Sequence, residues 1–334
     1  MKIVVRAPNW IGDSVLSLPC LESLSKNFPT AQIWISAKEW VKDLFISCDF
    51  IEGVIPLPDQ NDFIGLRNSA KKIKGFHFDI GLLLPNSFSS ALVFYLAKIP
   101  QRWGYQSDGR GLLLTKGVAL KNQDNIIHQV HYYLDLIKGL GFQTNPPEIN
   151  LPISEEEKKK AKEFLQALNV DFKKPLIVFN PGAAYGPSKR WPAQKYAELA
   201  LLFQERKEAI VLIIGSSDEV EVAEFISSLL TKKPLNLAGK TNLRLLAGLI
   251  SYASLYVSND SGTMHIANAL KIPVVALFGP TVPRQTGPFQ QPATVIKKEV
   301  PCGPCNYREC PFDHRCMTKI YPEEVYEAGQ KFLG

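Results

Sequence analysis

The chain has 334 residues, more than one hydrophobic core usually supports, so two domains are expected. Hydrophobic residues make up 46% of the chain and charged residues 21%, which is typical of a globular protein and excludes a disordered one. The net charge of +6 favours an anionic ligand, but the sequence has no dense basic stripe, so no nucleic-acid partner is expected. The polar start of the chain and the lack of a long apolar run predict a cytoplasmic location.

Strand-like and helix-like segments alternate in the first half of the chain. Short apolar runs predict strands at 2–6, 31–37 and 78–85, and helical spacing marks 15–24 and 63–73. Such a βαβ series predicts a parallel sheet with helices on both faces.

The same pattern restarts after a polar break at 144–152. Ser154 and Glu157 have the spacing of a capping box that opens a helix. Apolar runs then predict strands at 175–182, 209–215, 255–260 and 272–279.

Two doubly wound α/β domains facing a central cleft are therefore predicted, with ligands bound at the carboxyl ends of the strands. The predicted ranges are 1–160 for the first domain and 161–320 for the second, with a C-terminal helix at 321–334 that packs back on the first domain. The sequence has neither the G-x-G-x-x-G fingerprint nor the G-x-x-x-x-G-K-[ST] loop, which argues against a dinucleotide oxidoreductase or a P-loop kinase.

The segment APNWIGD at 7–13 joins the first strand to the first helix. Gly12 permits a tight backbone turn, and Asp13 lies at or near the start of the helix. Two roles for Asp13 are open: a helix N-cap, or a general base that takes a proton from an attacking hydroxyl.

Three further strand ends carry polar motifs that suit a nucleotide. The loop at 180–192 offers backbone amides and Lys189 to a diphosphate, although a solvated surface turn has the same composition. Ser261, Gly262 and Thr263 lie at a helix start that can bind an anion, beside Asp260 and a histidine, His265, that is either a core residue or a ligand contact. Glu219 follows a Gly-Ser-Ser turn, where a carboxylate binds a ribose or is an N-terminal helix charge favoured by the helix dipole.

Four cysteines lie within fifteen residues near the C-terminus, at Cys302, Cys305, Cys310 and Cys316. Their spacing allows a structural zinc site, with His314 as a competing ligand, but it lacks the usual second C-x2-C pair. Reduced thiols in a proline-rich loop or a disulfide are the alternatives.

The motifs taken together resemble those of glycosyltransferase family 9, the heptosyltransferases. APNWIGD, LPNSFSSAL at 84–92, IPQRWGY at 99–105, PGAAYGPSKRWP and NDSGTMHIANAL follow one another in the order and spacing of that family. The resemblance extends from Arg6 to about Thr281, and the cysteine-containing tail is similar to that of many members.

The resemblance implies a GT-B fold and an inverting transferase that needs no metal or other cofactor for catalysis. The implied reaction moves L-glycero-D-manno-heptose from ADP-heptose to the first heptose of the lipopolysaccharide inner core, on a lipid A–Kdo–heptose acceptor near the inner membrane. By the same resemblance Asp13 is the base, and the donor is bound by Lys189, Glu219, Asp260, Ser261, Gly262, Thr263 and His265.

The acceptor side is expected in the N-terminal domain. Asn86 and Ser87 follow a buried strand, and Asn9 stands where related enzymes often carry serine. A cluster of exposed cations, Lys71, Lys72 and Lys74, suits acceptor phosphates or anionic lipid, or is merely a solvated helix face. A related transferase for another nucleotide sugar or core position and a non-catalytic nucleotide-binding relative are the rival interpretations.

Overall fold

Two parallel six-stranded sheets organise the described residues, 1–59, 62–120 and 127–333, of this computed structural model. The chain divides into a first unit, Met1–Pro152, and a second unit, Ile153–Gly334. The division falls after residue 152 rather than after the predicted 160. The reason is that the helix Glu155–Ala167 packs against Leu243–Ile250, which belongs to the second unit.

In the described part of the first unit, the sheet has the strand order β3-β2-β1-β4-β5-β6. Its strands are β1 (Lys2–Arg6), β2 (Gln32–Lys38), β3 (Gly53–Leu57), β4 (Ile80–Leu83), β5 (Gln101–Gln106) and β6 (Lys116–Ala119). Its helices are α1 (Ile11–Leu16), α2 (Leu18–Asn27), α3 (Phe63–Lys74), α4 (Phe88–Leu96) and α5 (Gln129–Gly139), with 3-10 turns at Lys42–Phe45 and Arg110–Leu113.

The sheet of the second unit has the order β12-β11-β10-β7-β8-β9. Its strands are β7 (Leu176–Asn180), β8 (Ile210–Ile213), β9 (Leu235–Asn236), β10 (Leu255–Asn259), β11 (Val274–Phe278) and β12 (Ala293–Lys297). Its helices are α6 (Glu155–Ala167), α7 (Ala193–Arg206), α8 (Val220–Ser228), α9 (Leu243–Ile250), α10 (Gly262–Ala269), α11 (Pro283–Thr286), α12 (Arg315–Thr318) and α13 (Pro322–Gln330), with 3-10 turns at Pro187–Lys189 and Ser217–Glu219.

Burial of the central strands explains why the apolar runs predicted them. Every residue of β7, β10 and β11 is buried, as expected for parallel strands covered by helices on both faces. In register, Val257 of β10 lies between Phe179 of β7 and Val275 of β11. The predicted class of two doubly wound α/β units is confirmed. Among the helices of the described residues, none has the length and apolar character that crossing a membrane requires.

Each sheet has one point at which the strand order reverses. The first chain half starts at β1, runs outward through β2 and β3, and returns to the other side of β1 with β4. The second half repeats this with β7 at the start and β10 on its other side. Loops at the carboxyl ends of such strand pairs diverge and leave a crevice that suits a ligand.

The C-terminal helix belongs to the second unit, which corrects the prediction that 321–334 packs back on the N-terminal domain. Tyr326 of α13 contacts the ring of Phe203 on α7 with centroids 5.0 Å apart, and Val325 is fully buried. This apolar face of α13 is part of the core beneath β11 and β12. Residue 334 lies outside the described residues.

The start of α6 is held by the predicted capping box and by a second contact. The Ser154 backbone N–H donates to Glu157 Oε2 at 2.8 Å. Arg244 of α9 donates to both carboxylate oxygens of Glu157, from Nε at 2.5 Å and from Nη2 at 2.7 Å. The bond to Arg244 is the main cause that lowers the pKa of Glu157 from 4.5 to about 2.

Glu157→Gln is expected to make the free energy of unfolding less sensitive to acid. Because the folded-state pKa of Glu157 lies below its unfolded value, its contribution is present above the unfolded pKa and is lost as the pH falls toward about 2. Urea unfolding at neutral pH and at pH 3, by circular dichroism, should give a smaller difference between the two pH values for Glu157→Gln than for the wild type. An equal difference in both proteins would contradict this assignment.

Candidate active site

Asp13 lies in the first turn of α1, directly beyond the carboxyl end of β1. The cap position of α1 is taken by Trp10, so the alternative role of Asp13 as the N-cap is wrong. The Asp13 side chain is half-buried. Burial raises the pKa of Tyr133, on α5, well above its ordinary value, and the negative charge of Asp13 raises that pKa further. Asp13 therefore lies at the switch point of the first sheet.

Gly12 and Asn9 complete the segment before Asp13. Gly12 is buried in the first turn of α1, so it belongs to the helix rather than to a tight turn. Asn9 is exposed, with its side-chain oxygen accepting a hydrogen bond from Arg6 Nη2 and its backbone oxygen accepting one from Trp40 Nε1 at 2.7 Å. Arg6 is buried, and burial lowers its pKa to about 10, so it remains a cation at neutral pH. Because Arg6 binds the side-chain oxygen of Asn9, the side-chain N–H groups of Asn9 can still donate to a ligand.

A polar cluster missed by sequence reasoning holds Asn86 beyond β4. Asn86 Nδ2 donates to the Tyr132 hydroxyl at 2.6 Å, and Arg110 Nη2 donates to Asn86 Oδ1 at 3.3 Å. Arg110 is fully buried and also donates to the backbone oxygens of Pro85 and Tyr105. A buried guanidinium that binds several main-chain oxygens fixes the loop after β4, and burial lowers its pKa.

Ser87 has a structural role in this loop. Its hydroxyl caps α4 by accepting from the Ser90 N–H at 3.3 Å, and the Ser89 hydroxyl lies 3.2 Å from it. The exposed Ser87 hydroxyl is thus partly engaged within the protein, whereas Asn86 is oriented by its neighbours.

Two buried asparagines assemble the loops of the second sheet at its switch point. Asn180, the last residue of β7, accepts from the Gly182 N–H at 3.0 Å and donates to the Thr263 hydroxyl. Asn259, the last residue of β10, donates to the Pro181 oxygen at 2.7 Å and accepts from the Trp191 N–H at 3.0 Å. The loop 181–191 is therefore tied at both ends to the neighbouring strand.

Lys189 and Asp260 form a buried ion pair at this end of the sheet. Lys189 Nζ lies 2.5 Å from Asp260 Oδ2, with side-chain exposures of 11% and 6%. The hydroxyl of Thr281, beyond β11, donates to the same oxygen at 2.7 Å. Sequence analysis predicted Lys189 and Asp260 separately and missed both their pairing and Thr281. The ion pair holds Lys189 Nζ in a defined position, and the carboxylate of Asp260 balances the charge of the lysine.

The start of α10 contains the four remaining residues predicted on this segment. Ser261 takes the cap position and Gly262 begins the helix. The Thr263 hydroxyl points into the protein, where it accepts from the Tyr256 hydroxyl at 2.7 Å. His265 is buried within α10. Since the first N–H groups of a helix have no partner within it, the backbone of Gly262 and Thr263 is suited to an anion, while the Thr263 side chain is structural.

Glu219 lies beyond β8 at the edge of the same group of loops. Its carboxylate accepts from the Ser216 N–H at 2.7 Å, and the side chain is buried. The carboxylate is therefore engaged at the start of the helical turn Ser217–Glu219, as in the alternative of an N-terminal helix charge, and it also faces the loop after β7. A Cβ added at Gly182 would lie only 1.8 Å from Glu219 Oε1. Gly182 is thus required for the close approach of the two loops.

Gly182→Ala is expected to displace Glu219 and to weaken nucleotide binding about tenfold, the loss of one hydrogen bond to a charged group. Isothermal titration with ADP measures the change. Gly111→Ala is the matched control, because a Cβ added there meets nothing within 4 Å. Unchanged ADP affinity in Gly182→Ala would contradict a nucleotide-binding role for Glu219.

The four clustered cysteines line one small cavity together with His314. All four are free thiols, and burial raises the pKa of Cys316. Within residues 1–59, 62–120 and 127–333, no group of three or more His, Cys, Asp or Glu side chains is arranged to hold a metal ion. The predicted zinc site is therefore not supported. His314 Nε2 lies 2.5 Å from the Ser188 oxygen, so one of the two ring nitrogens is engaged in another contact.

Comparisons with known proteins agree with this geometry. The model of glycosyltransferase family 9 (heptosyltransferase) matches residues 66–315. Lipooligosaccharide heptosyltransferase 2 of Haemophilus ducreyi is 35% identical over 316 residues, covering 89% of this chain and 88% of that protein. Lipopolysaccharide heptosyltransferase 2 of Escherichia coli K12 is 33% identical over 310 residues, with the same coverage.

Solved structures match over nearly the full chain. The structure of E. coli ADP-heptose lipopolysaccharide heptosyltransferase II has a TM-score of 0.86 and 32% identity, covering 100% of this chain and 98% of that one. A family 9 glycosyltransferase from Veillonella parvula has a TM-score of 0.87 and 25% identity, covering 99% and 97%. These matches confirm the predicted GT-B fold class. The chain belongs to glycosyltransferase family 9, the heptosyltransferases, and is a glycosyltransferase.

Proposed function

We propose that the chain transfers L-glycero-D-manno-heptose from ADP-heptose to the first heptose of the lipopolysaccharide inner core. The observation that carries the proposal is the group of loops around the Lys189–Asp260 pair, at the switch point of the second sheet. Relatives with 33–35% identity are named heptosyltransferase 2, and one similar structure is that of an ADP-heptose enzyme. These names support the choice of donor and acceptor.

The second unit binds the donor in this proposal. Lys189 and the N–H groups of Gly262 and Thr263 take the diphosphate, since preorganised donors stabilise the charge that develops on a leaving group. Asp260 accepts from a sugar hydroxyl, Ser261 and His265 line the site, and Glu219 binds the ribose.

The first unit binds the acceptor and supplies the base. Asp13 takes the proton from the attacking hydroxyl, whose oxygen forms a bond to the anomeric carbon as the bond to ADP breaks. Attack from the side opposite to the leaving group inverts the configuration. In this proposal Asn86, Ser87 and the amide of Asn9 orient the acceptor sugar; the hydrogen bonds of Asn9 to Arg6 and of Asn86 to Tyr132 support these roles.

Catalysis is proposed to need no divalent cation, because Lys189 and backbone N–H groups supply the positive charge. ADP release should therefore be the same with and without EDTA. Loss of activity in EDTA, restored by Mg²⁺, would contradict this part of the proposal.

The exposed face of α3 is proposed to contact the anionic lipid that surrounds the acceptor. Phe63, Ile64, Arg67, Lys71 and Lys74 are all exposed and fall within roughly 100° around the helix axis. Apolar side chains beside cations are suited to the surface of an anionic bilayer.

Lys71→Glu/Lys74→Glu should reduce sedimentation with vesicles containing phosphatidylglycerol, and added salt should reduce it for the wild type. Lys159→Glu/Lys162→Glu, on a helix of the second unit, is the matched control with the same charge change. Equal sedimentation of all three proteins would remove α3 from membrane contact.

The donor and stereochemistry are tested by a panel of nucleotide sugars with one purified acceptor. We expect turnover with ADP-heptose and none with UDP- or GDP-sugars, and NMR of the product should show an inverted anomeric centre. Turnover with another nucleotide sugar would favour the rival transferase. Nucleotide binding without turnover of any donor would favour a non-catalytic relative.

A further inference from the structure

The ring of Tyr185 contacts two cations in the second unit. Lys189 Nζ is 4.5 Å from the ring centroid, and Arg308 Cζ is 5.4 Å from it. Arg308 comes from the cysteine-containing segment, which the nucleotide motifs do not include. We propose that Arg308 is a second cation of the donor site and binds the diphosphate of the nucleotide sugar, an inference that rests on the proposed function.

The charge balance around Lys189 favours such a residue. Lys189 is paired with Asp260 at 2.5 Å, so part of its charge is already balanced before a diphosphate binds. Among the described residues, no carboxylate lies within 4 Å of the Arg308 guanidinium, and Arg308 is exposed. Arg308 therefore contributes an uncompensated positive charge at the same tyrosine ring that Lys189 contacts. A planar guanidinium is also the side chain best suited to donate hydrogen bonds to two phosphate oxygens at once.

Hydrogen bonds place Arg308 against the phosphate-binding loop. The Ser188 N–H donates to the Arg308 oxygen at 3.1 Å, and the Ser188 hydroxyl donates to the Tyr307 oxygen at 2.5 Å. The Tyr185 hydroxyl donates to the Asn306 oxygen at 2.6 Å. Three consecutive residues of the segment thus hold the loop that carries Lys189.

Two further contacts fix the same segment. A Cβ added at Gly186 would lie 2.4 Å from the Arg308 backbone oxygen, so the loop packs on the segment at its closest possible distance. The Asn306 N–H donates to the Pro280 oxygen at 3.0 Å, next to Thr281, which binds Asp260. The segment is in this way fixed relative to both members of the ion pair.

Isothermal titration of the full chain with ADP and with adenosine tests the proposal. Arg308→Gln should lose about tenfold in ADP affinity and leave adenosine affinity unchanged, because only ADP has phosphates to bind. Its ADP affinity should also depend less on salt than that of the wild type. Arg308→Lys should keep part of the affinity, since it retains the charge but not the planar fork.

Arg315→Gln is the matched control, because Arg315 lies on the same segment but is paired with Asp313 at 2.8 Å. It should bind ADP as the wild type does. Wild-type ADP affinity in Arg308→Gln, or an equal loss for ADP and adenosine, would overturn the role of Arg308 alone. Failure of the wild type to bind ADP would overturn the proposed donor and this inference with it.

Discussion

Asp13→Asn is expected to lower the rate of heptose transfer about 100- to 10,000-fold, the range of general base catalysis. The amide keeps the shape of the side chain but has no basic oxygen to take the proton. Affinity for ADP-heptose should stay unchanged, because the donor is proposed to bind the second unit. Acceptor-dependent ADP release measures the rate, and titration calorimetry measures the donor affinity.

Asp43→Asn is the matched control for this variant. Asp43 is also half-buried in a first helical turn of the first unit, after β2, but no role in the site is assigned to it. It should transfer heptose at the wild-type rate. Equal rates for Asp13→Asn and the wild type would be compatible with heptose transfer but would show that Asp13 is not the base.

Lys189→Met is expected to remove ADP binding and to lower the free energy of unfolding by about 3–5 kcal/mol. The loss of stability follows because the buried Asp260 carboxyl would lose its cationic partner, while the bond from the Thr281 hydroxyl remains. Urea unfolding, monitored by circular dichroism, measures the stability, and titration with ADP measures the binding.

The double variant Lys189→Met/Asp260→Asn separates the two effects. With neither charge present, no buried charge is left unpaired, so most of the stability should return. ADP affinity should not return, since the cation that binds the diphosphate is still missing. Wild-type ADP affinity in the double variant would mean that the ion pair is purely structural.

Sequence patterns identified the central strands because these are buried on both faces. Strand β1 was predicted with its observed limits, 2–6, and the runs around β7, β10 and β11 are continuously apolar. Strands β5 (QRWGYQ) and β6 (KGVA) were missed. Their residues are partly exposed and polar, so they become strands only by pairing at the edge of the sheet, β5 with β4 and β6 with β5.

The candidate site was predictable where one strand end carries one motif, and not where distant segments meet. Lys189 and Asp260 each follow a predicted strand, but their pairing joins residues 71 positions apart. Buried Arg110 gave no signal, because a lone arginine in a loop is normally a surface residue. The spacing of the cysteines left zinc, reduced thiols and a disulfide open, because spacing along the chain does not determine how side chains are arranged around a cavity; among the described residues no metal-holding group is found.

The most direct test of the central claim is acceptor-dependent transfer from ADP-heptose by the purified wild type. Three acceptors are compared by mass spectrometry: lipid A–Kdo alone, the same molecule with one heptose, and the same molecule with two. The account predicts ADP release and the addition of one heptosyl residue only to the acceptor with one heptose. Transfer to lipid A–Kdo alone or to the two-heptose acceptor, with none to the one-heptose acceptor, would contradict it.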